Sequence, residues 1–128
     1  MRILDREEFE ELIYDEEKAA MIIFYRSGCS VCEALSETLG NLEKEYQDRL
    51  LIGKIDAEAE NELFMRFGLR GVPQVLFFRR GVLTRNVSGK NDEAFYQKLL
   101  EQLLDGKNLY EPETKYQEEN FSCAACLI

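Results

Sequence analysis

The apolar positions of the chain change period as it proceeds, and each change marks an element. Phe9, Leu12 and Ile13 recur at helical spacing behind Asp5 and Glu8, a capping-box pair, and predict a short amphipathic helix over about 6–17. Residues 19–25, AAMIIFY, are continuously apolar over the length of a strand, the pattern of a strand buried on both faces. From Cys29 the period becomes three and four. Cys32, Leu35, Leu39, Leu42 and Tyr46 form one stripe and predict a helix over about 30–48.

LLIGKID at 50–56 predicts a second strand, and Leu63, Phe64 and Phe67 a further helix stopped by Gly68. After GVP at 71–73, QVLFF predicts a strand, RRG at 79–81 a tight turn, and VLTRNVSG its hairpin partner. Asn91 is the expected cap of a last helix through about Leu104, with Phe95, Leu99, Leu100 and Leu103 on its apolar face and Gly106 as its stop. The order α-β-α-β-α-β-β-α predicts an α/β fold, a mixed sheet flanked by helices on both faces. Residues 1–106 are expected to form one domain. Residues 107–128, KNLYEPETKYQEENFSCAACLI, lack sustained periodicity and are expected to form an extended tail.

Composition narrows the chemistry. A chain of 128 residues, 45% apolar, suits one domain with a real core. Its 16 Lys and Arg against 25 Asp and Glu give a net charge of −9, which disfavours nucleic acid and anionic membranes as partners. It has no histidine. Ser-His-Asp and Cys-His hydrolytic sites, His-ligated metals and an imidazole switch are therefore excluded, leaving Cys, carboxylate, Lys or Tyr as reactive groups. The opening MRILDREEFE lacks the apolar stretch of a secretory leader, and no run approaches the ~18 apolar residues of a membrane helix. A cytoplasmic location is the expectation, and there thiols are kept reduced. Two C-x-x-C pairs then read as catalytic or metal-binding before they read as structural disulfides.

The first pair lies in RSGCSVCEAL, residues 26–35. Cys29 falls where the buried strand gives way to a helix, beside unpaired amides and the positive end of the helix dipole, which stabilise a thiolate and make it a nucleophile. Cys32 lies one turn on, on the same face and less exposed, placed to attack a mixed disulfide formed at Cys29. A zinc site would need two more ligands, for which only Cys123 and Cys126 are available. Inert buried thiols fit poorly with the flanking Ser and Gly.

The strand AAMIIFY running into GCSVC, the helix after it, KIDAE, GVPQVLFF, the RRG hairpin and the terminal helix together resemble the thioredoxin family over roughly residues 5–105. The resemblance implies a thioredoxin-like fold, with Cys29 as attacking thiol, Cys32 as resolving thiol and Pro73 as a cis-proline beside them. It also implies that the backbone of Val72 faces an extended substrate that pairs with it as an added strand. The chain departs from the family's W-C-G-P-C at Gly28, Ser30 and Val31. The family's buried carboxylate aligns with Ile23 and its lysine partner with Ile52, flanked here by Lys54 and Asp56. The acceptor of the Cys32 proton is then water or a nearby group such as Lys54, and Arg26 is a candidate charge favouring the Cys29 thiolate.

FSCAAC at 121–126 carries the second pair. Cys123 and Cys126 are read as a second dithiol that exchanges with the first, with a shared metal site or a dispensable surface pair as rivals. The 17 residues from Gly106 to Cys123, at up to ~3.3 Å each, could cross a small domain. The expectation is a monomeric thiol-disulfide oxidoreductase that reduces protein disulfides, binds no metal and needs no bound cofactor. It takes electrons from a separate thioredoxin-reductase-type donor. The alternative is a redox-inactive thioredoxin-like binding module whose Cys pairs serve docking or zinc binding.

Overall fold

The computed structural model describes residues 1–105. Its elements are β1 (Arg2–Ile3), α1 (Arg6–Phe9) continuing as a π-helical segment (Glu10–Asp15), β2 (Ala20–Tyr25), α2 (Ser30–Tyr46), β3 (Leu51–Asp56), α3 (Asn61–Arg66), β4 (Gln74–Arg79), β5 (Val82–Ser88) and α4 (Glu93–Asp105). One five-stranded sheet runs β1-β3-β2-β4-β5. The first three strands are mutually parallel, and β4 runs antiparallel to both β2 and β5. β2 is central, which is why AAMIIFY is apolar on both faces.

Alternation along the strands sends side chains into two cores. Met21, Ile23, Ile52, Val75 and Phe77 pack with the apolar stripe of α2 and with Tyr96, Leu99, Leu100 and Leu103 of α4. Ala20, Ile22, Phe24, Ile55, Leu76 and Phe78 pack on the other side with Phe9, Leu12, Ile13, Leu63 and Phe64. Helices thus cover both faces of a mixed sheet, the α/β thioredoxin-like arrangement expected.

Local departures from the sequence reading have local causes. β1 has only two residues, one of them the 57% exposed Ile3, and is a strand solely because it pairs with β3 at Gly53 and Lys54. A Cβ on Gly53 would lie 3.1 Å from the Arg2 carbonyl, so glycine permits the close approach. The first helix opens with the expected capping box, Asp5 Oδ1 accepting from the Glu8 amide at 2.8 Å and Glu8 Oε1 from the Asp5 amide at 3.1 Å. It then widens, the Glu16 amide bonding to the Glu11 carbonyl at 2.9 Å. The cap of α4 is Asp92, whose Oδ1 accepts from the Phe95 amide at 3.0 Å, one residue beyond the expected Asn91. The expected helix stop at Gly106 and the tail at 107–128 lie outside the described residues.

Strand register decides where chemistry can gather. Tyr25 pairs with Asp56 at the ends of the parallel β2 and β3, and Phe24 pairs with Gln74 at the start of β4. The turn into Cys29, the turn after β3 and the GVP loop therefore meet at one pole of the sheet.

Candidate functional site: a dithiol at a helix N-terminus

The chain leaves β2 through a turn in which the Arg26 carbonyl accepts from the Cys29 amide at 3.3 Å. Gly28 adopts φ +79°, a left-handed conformation that a side chain such as Trp would strain, so the turn suits the glycine that stands in the family's Trp position. Cys29 is the N-cap of α2. Its carbonyl accepts the helix's first bond from the Glu33 amide at 3.1 Å, and its Sγ accepts from the Cys32 amide at 3.2 Å. The sulfur thus occupies the position that a capping Ser or Asp oxygen fills, at the N-terminal end of the helix dipole. Cys29 is half-buried and Cys32 buried at 2% exposure, and both are free thiols. Val31 between them is exposed.

Burial pushes the Cys32 thiol up to about 11, helped by its hydrogen bond with Cys29 and opposed by a backbone hydrogen bond from Arg26 and the Arg26 charge. Arg26, singled out as a charge beside Cys29, thus bears on Cys32. Its Nε lies 3.7 Å from Glu58 Oε2 on the turn after β3. Lys54, expected near the dithiol, has its Nζ over the Tyr25 ring, 4.8 Å from the centroid. The Tyr25 phenol is pushed up by burial and by the Asp56 carboxylate. Asp56 Oδ1 meanwhile accepts from the Glu58 and Ala59 amides at 2.9 and 3.2 Å, which fixes the turn carrying Glu58. Ile23 and Ile52 are 0% and 3% exposed within the apolar cluster, so neither of the family's buried-pair positions carries a titratable group.

The Val72–Pro73 peptide bond is cis. Pro73 is buried, and its carbonyl accepts from the Gly89 amide at 3.0 Å, which ties the loop to the end of β5. Val72 packs its side chain against the second core, and among the described residues no hydrogen bond reaches its backbone. Sequence reasoning missed Gln74, read only as the first residue of the strand QVLFF. It is a polar side chain at 2% exposure, and its Oε1 accepts from Ser88 Oγ at 3.2 Å, closing the loop from behind. Glu58 was missed as well, because nothing in its local sequence marks an ion pair with Arg26. Among the described residues, no group of three or more Cys, Asp or Glu could hold a metal ion. Cys123 and Cys126 lie outside them.

The thioredoxin family model matches residues 1–102. The chain belongs to the thioredoxin family. It is 28% identical over 102 residues to a thioredoxin of Buchnera aphidicola subsp. Baizongia pistaciae, covering 80% of this chain and 87% of that one. It is 22% identical over 104 residues to the chloroplastic M-type thioredoxin of Pisum sativum, covering 81% of this chain and 60% of that one. The X-ray structure of Fasciola hepatica thioredoxin superposes with a TM-score of 0.72 at 22% identity, covering 80% of this chain and 98% of that one, which shows a shared fold. Thioredoxin family membership indicates thiol-disulfide oxidoreductase activity in general, with disulfide-containing proteins and reductases as the general class of partner.

Proposed function

We propose that this thioredoxin-family chain reduces protein disulfides through Cys29 and Cys32. The Cys29 thiolate attacks one sulfur of a substrate disulfide, forming a mixed disulfide and releasing the other sulfur as a thiolate that takes a proton from solvent. Cys32 then loses its proton, attacks Cys29 Sγ and releases the second substrate sulfur. The chain is left as the Cys29–Cys32 disulfide, and two electrons have passed to the substrate. A reductase of thioredoxin-reductase type returns them. The observation that carries this reading is the cap geometry, with Cys29 Sγ accepting the Cys32 amide at 3.2 Å and Cys32 buried one turn behind.

The unbonded backbone of Val72 beside Pro73 supports strand-like docking of the substrate. Reduction is the favoured direction, because a cytoplasmic setting keeps thiols reduced. Cytoplasmic location and a monomeric state complete the reading. Cys123 and Cys126 act in it as a tethered second dithiol, favoured by the effective concentration that a linked segment enjoys.

Dithiothreitol-driven reduction of insulin tests the activity. The expected result is turnover by the chain and none by Cys29→Ser; an inactive wild-type chain would favour the rival binding module. Disulfide mapping of the oxidised full-length protein tests the tail. A bond between Cys123 or Cys126 and the first pair supports the shuttle, and its absence under all mild oxidation conditions removes it.

A further inference from the structure

The chain distributes its charge unevenly. Between Leu63 and Asn91 it carries six cations, Arg66, Arg70, Arg79, Arg80, Arg85 and Lys90, and none of its 25 Asp and Glu. The topology separates these cations. Arg79 and Arg80 sit at the β4–β5 turn, at the pole away from Cys29, because β4 begins at the cysteine pole and runs from it. Arg66 is held by Glu10 at 2.8 Å and Glu62 at 2.9 Å, and Arg85 lies within β5.

Arg70 and Lys90 flank the cis-proline loop. Arg70 precedes Val72 by two residues, and Lys90 follows Gly89, whose amide bonds the Pro73 carbonyl at 3.0 Å. Both are exposed, and among the described residues neither enters an ion pair. Cations elsewhere do: Arg2 with Glu8, Arg6 with Glu10, Lys18 with Glu16 and Arg26 with Glu58.

We propose that Arg70 and Lys90 form a two-sided cationic clamp that selects disulfides lying in acidic polypeptide segments. The proposal rests on the dithiol reading above and names its substrate class: proteins whose reactive cysteine has Asp or Glu a few residues away. A strand docked beside Val72 advances ~3.3 Å per residue, so side chains a few positions from its cysteine fall within a Debye length of both cations. With no ion-pair partner among the described residues, each cation is available to the substrate. The net charge of −9 disfavours an acidic segment over most of the surface, so its encounter with the dithiol depends on these two cations, which must outweigh Asp56 and Glu58 at the turn after β3.

The test uses the full-length chain and three synthetic peptides that share one internal disulfide and differ only in Glu, Gln or Lys at the flanking positions. The quantity read is kcat/KM in a dithiothreitol-driven assay at low and high ionic strength. The Glu peptide should exceed the Gln peptide by about fivefold at low salt and the Lys peptide by more, with the preference shrinking as salt rises. In R70Q/K90Q the Glu-to-Gln ratio should fall to about one or below, whatever the absolute rates. Turnover without preference, or a preference that survives R70Q/K90Q, overturns the clamp alone. Turnover of no peptide overturns the dithiol reading on which the clamp rests.

Discussion

The amide of Cys32 donates to the Sγ of Cys29 at 3.2 Å, so the two thiols are coupled through one helical turn before any substrate arrives. Coupling makes the pair unequal. The outer sulfur takes the donor and the helix dipole, while the inner one takes the desolvation.

That inequality predicts selective alkylation. Burial disfavours the Cys32 thiolate, so ionisation is postponed to higher pH, and a thiol held at about 11 is only ~0.01% ionised at pH 7. Iodoacetamide at neutral pH should label Cys29 and spare Cys32 in the native wild-type protein. In Cys29→Ser, labelling of Cys32 should rise about tenfold per pH unit between pH 7 and 9. A plateau below pH 9, read by mass spectrometry, would contradict the burial argument.

Arg26 predicts the pace of resolution. Its charge lowers the Cys32 pKa, so Arg26→Gln should raise that pKa further and lengthen the life of a mixed disulfide at pH 8. The expected slowing is about threefold, the scale of a partly exposed charge worth ~0.5–1 kcal/mol, with Arg26→Lys recovering most of it. Stopped-flow decay of a fluorescent mixed disulfide reads this directly. Equal lifetimes in wild type and Arg26→Gln would assign the side chain to its ion pair with Glu58 alone.

Much of this arrangement was legible in the sequence where the signal is local. AAMIIFY announces a central strand because burial on both faces leaves no polar position, and a cysteine at a strand-to-helix junction announces a cap. GVP ahead of QVLFF marks the loop beside it. What escaped depends on partners distant in sequence. β1 exists only through pairing with Gly53, and Lys54 turns to the Tyr25 ring instead of the dithiol. Gln74 is buried because Ser88 on the neighbouring strand answers it, and Glu58 matters because a turn brings it to Arg26. Asn91 and Asp92 are equally good caps by residue type, and only the backbone path chooses Asp92.

The apolar floor of the site predicts the fate of a restored acid. Ile23→Asp puts a carboxyl at a position of 0% exposure among Leu, Ile and Phe, at a cost of about 3 kcal/mol. Desolvation raises the folded-state pKa above the unfolded value of ~3.9, so above that pH the folded form binds the proton more tightly. Stability of the variant should therefore fall as pH rises from the unfolded pKa towards the folded one, and level off beyond it. Urea unfolding at pH 5 and pH 8 should give a lower midpoint at pH 8, with wild type changing less. Identical midpoints at the two pH values would show that the site is wetter than its packing implies.

The division of labour between Cys29 and Cys32 is tested most directly by trapping. Each single Cys→Ser variant, with Cys123 and Cys126 also replaced by Ser, is mixed with a disulfide-bonded peptide, and adducts are weighed by intact mass spectrometry. The account predicts a stable adduct of Cys32→Ser, released by dithiothreitol, and none of Cys29→Ser. An adduct that forms through Cys32 when Cys29 is absent, or no adduct from either variant, would contradict it.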